Sequence, residues 1–545
     1  KIPLSIKVLD YVLPKPRTYV DPSKDLLVSF YNYMSDNNIM MRNGYDFKRC
    51  RALYAPIYRN FAAHGVDNYG IGDSQYVEFG DGALFALREM KKAGLRTDVI
   101  NGIVHGYGVR SPKYAEVCKT GVKTGSVDVA RVKRDAAAAT RFFGHRNVHF
   151  HYGDEPPANY VMCWRKGLVE YQKWGFRTFM AGNRGVFNKA GHIYDWFNMS
   201  SDPTSGENPG LWNGAGAGRI SWYANQHVGA EDPEISRRQN GLAGWLSGYT
   251  VLCNYALHFG DWNDDSQTYR PMVYAYGSGS GLIDTLAWEG FREGLDDVRY
   301  ATVLHALALE AVASPDPSHI GLGRRALKWF VSFDRSRDGL AWARAEMIAQ
   351  IDGLRAALGH DAVLAPLKKD VRNEPEADIS QELAADLAAC KTTKEVVKTY
   401  EKYYFFDKAY EALVASNELV WAANYAANEN IRRFDLAEKH LKAVLTDESA
   451  KPAERLSACI GLIAYDLPTA LKYEDVVFGV SNRLARTAFR ELSGVIGGRT
   501  YLCDDRPAEA KEVFRMLRRA ADAIKGPLGF KNWAYGVHTR FMCDD

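Results

Sequence analysis

The sequence has no run of about eighteen or more apolar residues, so no segment is expected to span a membrane as a helix. It has almost no net charge: 69 Lys and Arg against 66 Asp and Glu leave a formal +3 over 545 residues. So weak a field does not recruit nucleic acid or an anionic lipid surface, and no nucleic-acid partner is expected. The eight cysteines (Cys50, Cys118, Cys163, Cys253, Cys390, Cys459, Cys503, Cys543) are scattered, with none of the close pairs that hold metal. They read as free core thiols, which leaves the redox compartment open. No Gly-rich fingerprint follows the first strand, which disfavours a dinucleotide fold. Gly277-Ser278-Gly279-Ser280-Gly281 lacks the Lys–Ser/Thr tail of a phosphate loop. Lys1-Ile2-Pro3-Leu4 opens the chain without Met or a signal-like segment, so an upstream domain or signal peptide is expected.

What is present is abundant apolar matter, 46% of the chain, enough for at least two domains. Periodicity predicts strands at Ile6–Leu13, Asn68–Gly72, Thr97–His105, Asn147–Gly153, Phe176–Ala181, Ile193–Phe197, Arg219–Ala224 and Thr250–Leu257. Between them it predicts helices at Asp25–Met34, Lys48–His64, Gly82–Ala93, Val127–Phe143, Val161–Lys173 and Glu234–Leu246, with an amphipathic stretch at Leu282–Leu307. Alternation of this kind argues for parallel strands with crossover helices, and its length fits a (β/α)8 TIM-type barrel over residues 1–359. A charged, Pro-containing linker at 360–378 leads to an all-helical, solenoid-like domain at 379–545. Its helices are expected at Glu382–Ala389, Thr393–Tyr403, Ala409–Ala427, Phe434–Leu445, Pro452–Ile463, Phe478–Ser493 and Pro507–Ala523.

The most unusual stretch is His149-Phe150-His151-Tyr152-Gly153-Asp154-Glu155-Pro156-Pro157. A buried strand ends there in two adjacent carboxylates and two prolines. Acids at the mouth of such a strand are costly unless they have a partner or a task. They read either as catalytic groups or as the N-cap of the next helix. Strict alternation puts His149, His151, Gly153 and Glu155 on one face and Phe150, Tyr152 and Asp154 on the other. Gly153 relaxes that rule, so both acids are expected near the mouth. Adjacent acids cannot flank a sugar ring as a two-carboxylate mechanism requires, but they can work side by side. Glu155 would protonate the glycosidic oxygen while Asp154 holds the nitrogen of a 2-acetamido group whose oxygen attacks. Trp222, Tyr223 and Asn225, at the end of the Arg219–Ala224 strand, would supply an aromatic wall and polar donors, or else core filling. His105, His151, Asp195 and Trp196 complete the expected sugar-binding set. Asp195 could equally brace a loop, and the histidines could be structural. His149, His151 and Glu155 would also suit a metal, but no metal or other cofactor is expected.

Three stretches carry a resemblance: Ile2–Pro14, Gly153-Asp154-Glu155-Pro156, and Thr285-Leu286-Ala287-Trp288-Glu289-Gly290-Phe291-Arg292-Glu293-Gly294-Leu295-Asp296-Asp297. Together they resemble glycoside hydrolase family 123 and the wider group sharing its domain of unknown function 4091. Glu289, Arg292 and Gly294 fit the second motif, Thr285 stands for a Ser, and Ala287 replaces an Arg. The resemblance implies a β-N-acetylgalactosaminidase working through an oxazolinium-type intermediate, with Asp154 orienting the acetamido group and Glu155 as acid/base. Glu289 and Arg292 read as an ion pair on the helix that closes the barrel.

The expectation is therefore a retaining exo-glycosidase acting on a β-linked 2-acetamido sugar, secreted or periplasmic, with a glycan as its partner. One alternative is a glycosidase using Glu155 with a distant carboxylate such as Asp195. Another is an idle carbohydrate-binding or scaffold protein whose helical tail docks a protein or a second copy.

Overall fold

Leu26-Leu27-Val28 departs from the sequence pattern: it lies in the expected helix Asp25–Met34, yet Leu27–Phe30 is a strand, β1. All four residues of β1 are buried, because the strand lies between two others. A computed structural model describes residues 8–30, 47–69, 81–102, 129–157, 161–190, 193–205, 218–223, 232–254, 257, 274–278, 280–368, 375–427, 431, 433–463, 465–475, 484–486, 488 and 507–522. The chain divides into two units. The first comprises Lys1–Tyr33, Tyr54–Val77 and Ala86–Ala377; the second comprises Met34–Leu53, Glu78–Phe85 and Asp378–Asp545.

The first unit holds β1, β2 (Asn68–Tyr69), β3 (Ile100–Gly102), β4 (Val148–Asp154), β5 (Arg177–Gly182), β6 (Trp196–Ser200), β7 (Arg219–Tyr223) and β8 (Val251–Asn254). These strands correct the expected closed eight-stranded barrel. Among the described residues, hydrogen bonds build one five-stranded parallel sheet, β3-β4-β5-β6-β7, and a separate three-stranded parallel sheet, β2-β1-β8. At two places neighbouring strands meet without a ladder among the described residues. Between β2 and β3, the Asn68 side chain donates to the Val99 carbonyl at 2.6 Å where a backbone amide would otherwise reach. Between β7 and β8, the Thr250 amide donates to the Ile220 carbonyl at 2.9 Å, but the Ile220 amide donates to the Thr250 hydroxyl, also at 2.9 Å, in place of a backbone acceptor. The expected strand Ile6–Leu13 is also corrected over its described part: residues 8–13 are irregular, with Val8 and Val12 exposed. Arg299 binds the Leu13 and Pro14 carbonyls there instead.

An antiparallel hairpin was not anticipated. β9 (Ala275–Ser278) pairs with β10 (Gly281–Asp284), so the Gly/Ser-rich loop is a hairpin turn, and the expected helix at Leu282 begins later. Thr285 caps that helix, Leu286–Ala313, by accepting from the Trp288 amide. Residues Leu27, Val99, Phe179, Ala181, Trp196, Tyr223, Val251 and Cys253 form one buried cluster drawn from both parallel sheets.

Helix Leu286–Ala313 crosses the broken helix Pro233–Leu246 backbone to backbone. A Cβ on Gly290 would lie 2.1 Å from the Pro233 carbonyl oxygen, and one on Gly294 2.5 Å from that of Arg237. Only glycine permits that approach. Further along, His305 is packed among Tyr19, Trp245 and Phe330. Burial pushes its pKa down to about 4 from an ordinary 6.5. The folded state therefore refuses a proton that the unfolded chain accepts. Full stability is present above pH 6.5 and is lost as pH falls toward 4, by roughly 3 kcal/mol in all. Chemical denaturation at pH 7 and pH 4.5 will show this component, and His305→Phe will remove it.

Pro317–Ser332 and Leu340–Leu358 complete the first unit, the latter stopped by Gly359 in the left-handed conformation (φ 75°). In the second unit, helices occupy Ser380–Ala388, Thr393–Lys402, Phe406–Ala415, Leu419–Ala426, Phe434–Thr446, Pro452–Leu462, Leu467–Lys472 and Pro507–Asp522. Thr392 and Glu395 form a capping box. The single helix expected at Ala409–Ala427 is two, because Asn417 adopts φ 57° and turns the chain. Most of the expected helix Phe478–Ser493 lies outside the described residues. Among those residues no helix is long and apolar enough to cross a membrane.

Candidate functional site

The carboxyl end of β4 is built by a break in the alternation assumed from the sequence. His149, Phe150 and His151 pair with Arg177, Thr178 and Phe179 of β5, but Gly153 pairs with Met180. Tyr152 is the extra residue of a β-bulge. Beyond it the parity inverts. Position 154, not 153, is in register with Ala181, on the face that carries Phe179. Strict alternation along the strand assumes no such shift of register.

Glu155 follows at once, with its amide donating to the Ala181 carbonyl at 3.0 Å. Its φ of 44° puts it in the left-handed region, a conformation that costs a non-glycine residue roughly 1 kcal/mol or more and that recurs at functional sites. The Pro156–Pro157 pair then stops the strand. Glu155 is exposed, yet its carboxylate is held: the Tyr223 hydroxyl donates a hydrogen bond to Oε1. Tyr223 is the last residue of β7, is 6% exposed, and brings the hydroxyl from three strands away in the same sheet. A carboxyl group at the carboxyl end of a parallel sheet, oriented by a phenol and open to solvent, can deliver or take up a proton at a ligand.

The other expected site residues fall elsewhere. Asp195 precedes β6 and is therefore at the amino end of the sheet, away from Glu155. It is 4% exposed, and its Oδ2 accepts from the Thr178 amide (2.8 Å), the Thr178 hydroxyl (3.0 Å) and Gln172 Nε2 (3.1 Å). It braces the start of β5 and β6, not a ligand. Trp196 begins β6 and is fully buried, its indole donating to Ser221 Oγ at 2.6 Å and its ring packed edge-on against Phe179 and His149. It is core, and so is the ring of His149. Trp222 lies on the opposite face of β7 from Tyr223, with its Nε1 close to Gly244 of the flanking helix. Of the two aromatics only Tyr223 reaches the candidate site.

His105 and Asn225 lie outside the described residues, and for His151 and Asp154 only the backbone is described. Asp202, beyond β6, turns its Oδ1 to the Thr204 amide and hydroxyl, each at 2.8 Å. The Glu289–Arg292 pair forms at 2.9 Å, in the first turns of helix Leu286–Ala313. The bulge and the Tyr223 contact were not read from the sequence; Gly153 before two acids and two prolines was their one local sign. Comparison with protein-family models and with curated proteins finds no match to this sequence.

Proposed function

We propose that the chain is a retaining exo-glycoside hydrolase that removes a β-linked 2-acetamido sugar, N-acetylgalactosamine in preference, by substrate-assisted catalysis. The observation that carries this reading is the Glu155 carboxyl at the carboxyl end of β4, set by a left-handed backbone and oriented by Tyr223. In the proposed cycle Glu155 protonates the glycosidic oxygen as the acetamido oxygen attacks the anomeric carbon. It then takes a proton from the water that opens the oxazolinium-type intermediate. Asp154 is assigned the acetamido nitrogen, where its negative charge would stabilise the positive charge that develops. Its register with Ala181, on the Phe179 face, supports that assignment. So does the resemblance of the Gly153–Pro156 and Thr285–Asp297 stretches to glycoside hydrolase family 123.

The separated-carboxylate alternative loses the partner named for it, since Asp195 is buried at the other end of the sheet with three hydrogen bonds to its Oδ2. The test is hydrolysis of chromogenic β-N-acetylgalactosaminide and β-N-acetylglucosaminide beside the plain β-galactoside and β-glucoside. Cleavage confined to the acetamido sugars, fastest for the galacto isomer, is the expected result. Comparable cleavage of the plain sugars would remove the internal nucleophile, and silence on all four would favour the idle binding protein. Tyr223→Phe is expected to lower kcat about 10- to 100-fold, the value of one hydrogen bond to a charged group, with little change in KM or Tm.

A further inference from the structure

His64, just beyond helix Phe47–Ala63, is 4% exposed and stacks on Trp288 with ring centroids 4.5 Å apart. Its Nδ1 is 2.9 Å from the carbonyl oxygen of Asn60. A carbonyl can only accept, so Nδ1 carries the proton and Nε2 presents a lone pair. That buried Nε2 has no hydrogen-bond partner. It faces Glu289 Oε1 at 3.6 Å and Asp284 Oδ2 at 3.9 Å, both beyond hydrogen-bonding range. Three electron-pair donors therefore converge within 4.8 Å of one another, from a helix end, the end of β10 and the first turn of a second helix.

Each of the three is also fixed from behind. Asn60 Nδ2 donates to Asp284 Oδ1 at 2.7 Å, while its own Oδ1 accepts from Trp288 Nε1 at 2.9 Å. Arg292 Nε donates to Glu289 Oε2 at 2.9 Å. One oxygen of each carboxylate is thus committed to a supporting group, and the other is turned toward His64. Outer-shell support of this kind orients metal ligands.

We propose that His64, Asp284 and Glu289 bind a divalent transition-metal ion of the zinc class. Donors each about 2.1 Å from one ion lie at most about 4.2 Å apart, which the two His64 distances satisfy as they stand. The imidazole nitrogen favours a borderline ion over Mg²⁺ or Ca²⁺, which take all-oxygen sets. Glu289, 47% exposed at its side chain, leaves the remaining position open to water. The site would tie the end of helix Phe47–Ala63 to β10 and the helix that follows it, about 220 residues later, whatever the fate of the glycosidase reading.

The experiment is calorimetric titration of the chelator-stripped full chain with Zn²⁺ alone, with Co²⁺ as a spectroscopic probe. One equivalent is expected to bind, Co²⁺ to give visible ligand-field absorption, and Zn²⁺ to raise Tm. Glu289→Gln and Asp284→Asn keep side-chain shape, and circular dichroism will check that they fold. Each should weaken Zn²⁺ binding at least about tenfold and lose the Co²⁺ band. Failure to bind Zn²⁺, affinity within about threefold of wild type in both variants, or a response to Mg²⁺ or Ca²⁺ in place of Zn²⁺ would each overturn the proposal.

Discussion

Glu155→Gln is expected to lower kcat on a β-N-acetylgalactosaminide by about a thousandfold, with KM within about threefold of wild type. The amide keeps the shape of the acid. Its oxygen still accepts from Tyr223, and the backbone at φ 44° is untouched, so binding geometry survives. What is lost is the proton the leaving oxygen needs. The loss should therefore depend on the leaving group. A substrate with a strongly acidic leaving phenol needs little protonation and will retain far more of its rate than an alkyl glycoside. Asp154→Asn gives the contrasting pattern, because its proposed role is toward the acetamido group; the defect should be similar for every leaving group. Leaving-group series on the two variants will separate the roles. A Glu155→Gln enzyme as active as wild type would sink the assignment.

The largest stability effect is expected at Asp297. Its side chain is completely buried in helix Leu286–Ala313 and accepts from two guanidinium groups. Arg237 forks onto it, with Nε on Oδ2 at 2.7 Å and Nη2 on Oδ1 at 3.0 Å, and Arg344 Nε donates to Oδ1 at 2.5 Å. Arg344 also reaches Glu293 through Nη1 at 2.6 Å. Asp297→Asn removes the charge that both cations were placed to meet and turns an amide NH₂ toward one of them. Breaking such a cluster on one side costs about 3–5 kcal/mol, chiefly because the remaining charges stay desolvated. Thermal unfolding should shift down by roughly 5–15 °C. Adding Arg344→Met to Asp297→Asn should cost less than the two single changes together, since the second removes a charge the first has orphaned. Simple additivity would argue against coupling.

Helices were read well where apolar spacing is long and regular: Val161–Lys173 was expected and found at the same bounds. Short apolar runs were ambiguous, as at β1, where Leu26–Phe30 suits a buried strand or a helix and only its neighbours decide. The closed barrel failed for a related reason. Periodicity reports strands but not their ladders, and whether the Ile220 amide donates to a backbone carbonyl or to the Thr250 hydroxyl leaves no mark on the pattern. At the candidate site, the sequence located Glu155 by its unusual chemistry but not its partner. A bulge at Tyr152 changes parity without changing composition, and Tyr223 lies 68 residues away. Asp195 and Trp196 looked like mouth residues because the strand was placed early; with its start at residue 196 both lie at the amino end of the sheet. The His64 cluster was invisible, since His64 lies about 220 residues before Asp284 and Glu289 and no spacing rule joins it to them.

The pairing of β1 with β8 has a kinetic consequence. Leu27 meets Val251, so this ladder closes a loop of about 220 residues, against about 28 for His149 with Arg177 in the β4–β5 ladder. An eightfold longer loop is three doublings, or about 1.8 kcal/mol of extra closure entropy. The five-stranded sheet can nucleate from near neighbours, whereas the β1–β8 ladder must wait for most of its unit to be in place. Amide protection in a pulse-labelled refolding experiment should therefore arrive at Phe179 and Met180 before it arrives at Leu27, whose amide donates to the Thr250 carbonyl.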